Sequence, residues 1–411
     1  MKRIILVTVL ALAAAASRAQ TNLPYTLASI RIAEAYTGAD CGAKINAADA
    51  NLGSAPGEIW VSQACGTTWS TEVSLQANHT LRFVQGGIYK TSAPLVIGQQ
   101  SSIVCGAPAS EGGSNCTLQA ANGIATDFIT LGTQSTIRDM TIDGNESGGG
   151  MSGASNCLIK ESNSSTPVSY GRITIDHTSI TGSSGNGLCV ISQTVPRIES
   201  SIVSFNSADG IYCESSADFF VSDTEIEQNG LNGLELNNCP AARINHSDFG
   251  MNGATASGCA SSTPPAGYYG QLYIHGTTNA WNTAGYQIIT ANQFGNGCGT
   301  HIYIAGGSQN PTTANTISGN QFEGMRNSPL LATPQPQVYI VNGYKNQIVG
   351  NFFSNGNGGV SYGIQFHAAA TGVSAPSVIT GNAFDNHFVS YTDGNEDTTN
   401  IYSANVIGST P

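Results

Sequence analysis

A repeat of 23 residues constrains this chain more than any other feature. Ile175, Ile198, Val221 and Ile244 are spaced 23 apart, and Ile180, Val203, Ile226 and Phe249 keep the same step. So do Asn206, Asn229 and Asn252, and so do Gly187, Gly210 and Gly233, which precede Leu188, Ile211 and Leu234. Columns held in one register describe units that each pack on the next. Segments such as Gly233-Leu234-Glu235-Leu236 alternate with period two, as strands with one buried face do. Each unit therefore reads as three short strands separated by Asn- or Gly-containing turns.

Three strands in so short a unit suit one rung of a parallel β-helix. Leucine-rich units would need more Leu and a helix-forming half, and a propeller blade needs about 40 residues. Rungs stack about 4.8 Å apart, so aliphatic columns fill the interior and Asn columns satisfy turn backbone in neighbouring rungs. The crossovers are expected to be right-handed. Downstream, Ile289-Thr-Ala-Asn292-Gln-Phe294, Ile317-Ser-Gly-Asn320-Gln-Phe322, Ile348-Val-Gly-Asn351-Phe-Phe353 and Ile379-Thr-Gly-Asn382-Ala-Phe384 share a second template. Their Asn residues step by 28, 31 and 31, the mark of loop insertions. The predicted fold is all-β: one single-stranded right-handed parallel β-helix with a short N-terminal capping helix.

The ends are assigned from local pattern. Lys2 and Arg3, an apolar stretch from Ile4 to Ala16, and Ser17-Arg18-Ala19 read as a signal peptide over 1–19. Residues 20–411 are expected to form one domain, with a cap region over 20–60, rungs over about 61–392 and a C-terminal end over 393–411. Ile45, Ala48 and Leu52 share one face of a short amphipathic helix, which would cap the open first rung. Export makes disulfides permissible. The pairs expected among the 10 cysteines are Cys41/Cys65, Cys105/Cys116, Cys157/Cys189, Cys213/Cys239 and Cys259/Cys298. No two cysteines have the spacing of a zinc knuckle.

Only 10% of residues are charged, against about 25% in ordinary soluble domains, and the formal net charge is −12. Such an acidic chain is not expected to bind nucleic acid through phosphates. No apolar run after the N-terminus is long enough to span a membrane. The protein is therefore expected to be secreted or periplasmic, and monomeric.

Asp40-Cys-Gly-Ala-Lys-Ile-Asn-Ala-Ala with Gly57-Glu-Ile-Trp-Val, Thr136-Ile-Arg-Asp-Met-Thr-Ile-Asp-Gly-Asn145, and the Asn-Gly repeats from about 170 to 390 resemble the pectin-lyase-like superfamily of right-handed parallel β-helices. The resemblance implies a polysaccharide partner and chemistry by β-elimination or hydrolysis. Ile175-Asp176-His177 is similar to an Asp-His segment of pectate lyases. Asn206-Ser-Ala-Asp209-Gly-Ile is similar to the Asn-Thr-Asp segment of polygalacturonases, with Tyr212 and Cys213 following where a further Asp is usual. Asp-Asp, Gly-His-Gly and Arg-Ile-Lys are absent from the chain.

The register itself marks outward positions. Asp176 and Glu199 share one column, Glu225 and Asp248 share another, and Glu227 flanks the second pair. These acids are the candidate catalytic residues, because paired carboxylates serve glycosidases and raise one another's pKa. The same oxygens suit Ca²⁺, a hard cation, and solvated surface charge is the plain alternative. Arg197 and Arg243 keep one offset and are candidate uronate grips. Tyr212, Tyr273 and Trp281 are candidate sugar contacts. His177 and His246 lie too far apart for one metal and read as turn residues. The expected function is a secreted, glycan-degrading lyase or hydrolase; the alternative is a non-catalytic glycan-binding or surface-structural protein.

Overall fold

The computed structural model describes residues 29–66, 68–84, 86–106, 116–161, 171–191, 195–253, 270–276, 285–296, 299–306, 312–324, 336–341, 343–354, 363–367, 376–385 and 400–407. The segment 1–19, Cys259, Cys298, Tyr268, Tyr269 and Trp281 lie outside them.

Among the described residues every strand pair is parallel, and the strands form three long sheets of 14, 13 and 11 strands, here sheets A, B and C, and one small two-stranded sheet. The chain visits A, B and C in turn, so each circuit is one rung. In the central rungs Thr174–Asp176 belongs to A, Ser179–Thr181 to B and Asn186–Ile191 to C. The 23-residue columns are the strand register: Ile175 pairs with Ile198, Ile180 with Val203, and Leu188 with Ile211. All six are fully buried. The ladders continue past residue 392, where Ile401–Ser403 joins A and Val406–Ile407 joins B.

The A-to-B turn explains both templates. One residue per rung takes left-handed backbone there: His177, Ser200, Asp223 and His246 at φ 45, 48, 50 and 51°, and later Gly319, Gly350 and Gly381 at 63, 65 and 66°. Glycine meets this demand without a Cβ penalty, hence Ile-x-Gly-Asn in the later rungs. It also confirms His177 and His246 as turn residues. The next position is buried and polar. Asn320, Asn351 and Asn382 each donate through Nδ2 to the following Asn Oδ1, at 3.0, 2.9 and 3.0 Å. At the B-to-C turn Asn206, Asn229 and Asn252 form a second such ladder, with 2.9 Å steps. Inside, Phe249, Phe294, Phe322, Phe353 and Phe384 stack with centroids 4.6–5.1 Å apart.

Helix α1, Cys41–Leu52, covers the first rungs with Ile45, Ala48 and Leu52 buried. Asp40 caps it. Against the cost of desolvation, the N–H groups of Ala43, Ser70 and Thr71 bring that carboxyl down to about 2. The disulfides Cys41–Cys65, Cys105–Cys116, Cys157–Cys189 and Cys213–Cys239 are all formed as the sequence predicted.

Candidate active site

Sheet C turns two adjoining columns outward in its middle rungs. One runs Tyr212, Glu235, Tyr273, Tyr303, Tyr339; the other runs Glu214, Asn237, His275. They face outward because Leu234, Leu236, Leu272 and Ile274 take the alternate, buried positions.

Asp209 and Asn232 sit at the start of these strands. Asn232 Nδ2 donates to Asp209 Oδ1 and to Glu235 Oε2, both at 3.0 Å. Its backbone N–H also donates to Asp209 Oδ1, at 2.8 Å. Glu235 Oε1 lies 2.9 Å from His275 Nε2, and Asn237 Nδ2 donates to the Tyr212 hydroxyl at 3.3 Å. Asp209 is only 5% exposed. Burial, and then the charge of Glu235, push its carboxyl well above the usual range. Asp209 thus keeps a proton where ordinary aspartates have lost theirs, while the side chain of Glu235 reaches the surface. A protonated carboxyl beside a second, surface-reaching one is the kind of arrangement that can supply a general acid.

Tyr273 stacks on His275 at 4.2 Å and on Tyr303 at 5.2 Å, and Tyr303 stacks on Tyr339 at 5.3 Å. Burial first, then Tyr303 and Glu235, raise the Tyr273 phenol; burial first, then Tyr339, raises Tyr303. These rings are uncharged hydroxyl carriers.

The five acids singled out from the sequence divide between two other faces. Asp176 and Glu199 are paired in register on sheet A, where Asp176 Oδ1 meets His177 Nδ1 at 2.7 Å and Glu199 Oε1 accepts from Arg197 at 3.2 Å. Arg197 also lies 5.1 Å over the Phe220 ring. Arg243 is on the same sheet, next to Phe220. Glu225 and Asp248 are paired in register on sheet B, with Glu227 on the strand of Glu225. Burial, followed by neighbouring carboxylates, raises both Glu225 and Asp248. Tyr212 and Tyr273 lie in one outward column of sheet C, on either side of Glu235. Among the described residues no group of three or more His, Cys, Asp or Glu is arranged to hold a metal ion.

A separate groove of about 970 Å³ lies over the first rungs of sheet A, lined by Trp60, Asn78, Thr80 and Arg82 among others. Its carboxylate, Glu58, is bound by Arg82 at 2.9 and 3.1 Å and by the Trp60 indole N–H at 2.7 Å. The Arg82 bonds, set against desolvation, and then Trp60 hold Glu58 below its usual range, so Glu58 is kept in its ionised form.

Column-matching does not bring Asp209 and Glu235 together, although the sequence singles out the Asn206–Asp209 segment. They occupy different columns and meet through the Asn232 amide and a carboxyl–carboxylate hydrogen bond. The signal available was Asn232-Gly-Leu-Glu235 one rung beyond Asp209, in phase with the glycine column.

Residues 128–266 and 166–325 match the family described as right handed beta helix region. Among solved structures, the chain is similar to the A-module of the mannuronan C-5 epimerase AlgE6 of Azotobacter vinelandii. The TM-score is 0.61 at 13% identity, over 93% of this chain and 100% of that one. It is also similar to the Dettilon tailspike protein gp208, with TM-score 0.55 and 12% identity over 92% of this chain and 68% of that one. A third is the A-module of the mannuronan C-5 epimerase AlgE4 of A. vinelandii, at 0.51 and 13%, over 92% and 98%. No curated protein matches the chain in sequence. At such identities the likeness is one of fold. The chain is a right-handed parallel β-helix protein.

Proposed function

We propose that this chain is an exported glycoside hydrolase whose chemistry runs on the outer face of sheet C. The observation that carries the reading is the Asp209–Glu235 pair, two carboxyls tied by one Asn232 amide beside His275. Glu235 passes the shared proton to the leaving glycosidic oxygen as its bond to the anomeric carbon breaks. Asp209 holds that proton in place beneath it, as a positioning residue. Glu214 lies one strand before Glu235 and two residues further along, which sets the two backbone positions about 8 Å apart. Inverting enzymes separate their carboxyls by about 6.5–9.5 Å, leaving room for a water. Glu214, on the neighbouring strand, is the carboxylate that on this reading takes the proton of the water that adds to the anomeric carbon.

Hydrolysis is favoured over elimination by the cations. A lyase must neutralise a uronate carboxylate. On sheet C, Lys160 is paired with Asp127 at 2.8 Å and His275 with Glu235, while Arg197 and Arg243 belong to sheet A. The neighbours that are mannuronan epimerases and a tailspike support a glycan as substrate.

The test is release of reducing ends from a panel of neutral and uronic glycans. Glu235→Gln is expected to lower kcat by about 10²–10⁴, the usual worth of a general acid. Activity should also fall as pH rises, because the raised Asp209 carboxyl holds the required proton at low pH and gives it up on the alkaline side. A second reading rests on the register pair Glu225 and Asp248, whose carboxyls are both raised, by burial and then by neighbouring acids that include Glu227. Lost activity in Glu225→Gln or Asp248→Asn, with activity kept in Glu235→Gln, moves the chemistry to sheet B. Binding without cleavage of any glycan leaves a non-catalytic binding protein.

A further inference from the structure

The tyrosine column of sheet C extends the site well beyond its acids. Tyr273, Tyr303 and Tyr339 occupy one outward position in successive rungs, all half-buried. Their rings lie nearly parallel, 5° and 14° apart, at centroid steps of 5.2 and 5.3 Å. Rings stacked in this way present hydroxyls and edges rather than open faces. The result is a row of polar contacts repeating at the rung rise, a step closely similar to the advance per sugar of an extended pyranose chain.

Charge narrows what such a row can receive. Asp209, Glu214 and Glu235 stand at its N-terminal end, and the position after Tyr339 is Gln365. Along the column from Tyr212 to Gln365 the described side chains include no cation, and His275 beside it is held by Glu235. A uronic chain laid here would bring a carboxylate to each rung with no described cation in the column to neutralise it, at a cost that grows with every sugar.

We propose that an extended, uncharged glycan lies along the solenoid axis over Tyr273, Tyr303 and Tyr339, one sugar per rung, and leads into the acids at Glu235. This rests on the sheet C reading of the catalytic site. It adds a substrate class, neutral rather than uronic, and a direction, with the longer binding stretch on the C-terminal side of the cleaved bond.

The experiment uses the full chain, Tyr303→Phe, Tyr339→Phe and Glu235→Gln. The probes are gluco-, xylo-, manno- and galacto-oligosaccharides, and galacturono- and mannurono-oligosaccharides, each of increasing length. The Phe variants keep the ring stack and remove only the hydroxyl, and a melting curve confirms that each has folded. Affinity of the Glu235→Gln form is expected to rise with length on one of the neutral series, and not on the uronic ones. Each Phe change should raise KM on long chains by about 3- to 10-fold, the worth of one hydrogen bond, and lower kcat far less than Glu235→Gln does. Length dependence that is unaltered in both Phe variants, or tighter binding of uronic chains, would overturn the proposal. If Glu235→Gln is still inactive in that case, the acid pair survives alone. If neutral chains bind in a Tyr303-dependent way and nothing is cleaved, the ladder survives and the hydrolase reading falls.

Discussion

Glu161 is a carboxyl inside the solenoid. Its strand, Cys157–Glu161, points Lys160 outward and so points Glu161 in, next to Leu131 of the preceding rung. It is 1% exposed, and neither carboxylate oxygen has a hydrogen-bond partner. Burial raises its pKa from an ordinary 4.5 to about 8. The sign of the linkage follows. Below pH 4.5 both folded and unfolded chains are protonated there, and the carboxyl carries no ionisation penalty. As pH rises the unfolded chain ionises first, so stability is lost progressively until the folded group ionises near 8. Glu161→Met fills the same space without a polar group. It is expected to stabilise the protein by about 1–3 kcal/mol at pH above that window, and by much less at acid pH. Urea midpoints of the two proteins at several pH values give the difference. Parallel curves across the whole range would mean that Glu161 finds a partner in solution.

At the scale of elements, the N-terminal cap shows what holds a solenoid shut. Asp49, on α1, and His79, on the third strand of sheet A, are both buried and 2.6 Å apart. Asp49 also accepts from the Gln76 N–H, and His79 Nε2 lies 3.0 Å from the Ala55 carbonyl. Asp49→Ala leaves the imidazole facing a void, and removal of one partner from a buried pair costs about 3–5 kcal/mol. Chemical denaturation should show a loss of that size. Light scattering should rise with it, because a displaced α1 bares the end of the interior. A loss below about 1 kcal/mol would instead assign the docking to the apolar face of Ile45, Ala48 and Leu52.

The same scale explains what the sequence revealed. Rungs from Ile175 to Phe249 carry no insertion, so the interior columns and both turn types could be read directly, and α1 followed from its apolar face. The site was harder to read. Column-matching finds residues that share a strand register, as Glu225 and Asp248 do. It cannot tell which of three outward faces a column belongs to, so acids from sheets A and B were grouped. Nor can it find Asp209 and Glu235, which leave different turn and strand positions and are joined by the Asn232 side chain.

The whole molecule is an acidic rod, with a formal charge of −12 and acids on every face: Asp176 and Glu199 on A, Glu225, Glu227 and Asp248 on B, Glu214 and Glu235 on C. Few cations interrupt this field, since the chain has 14 Lys and Arg against 26 Asp and Glu. A polyanion approaching from any side meets repulsion before it meets a site, and that repulsion reaches about 30 Å at 0.01 M salt but only about 8 Å at 0.15 M. An uncharged glycan feels neither. The association rate with a neutral oligosaccharide should therefore stay flat across this range, while the rate with an oligogalacturonate should rise with salt. Measured side by side on immobilised protein, the two slopes separate selection by the whole-molecule field from selection by the tyrosine column. A Tyr303→Phe change leaves the charge untouched, so it should weaken the neutral ligand at every salt concentration and leave the slope of the polyanion as it was. A polyanion that instead binds fastest at low salt would require a basic surface that the described faces do not present.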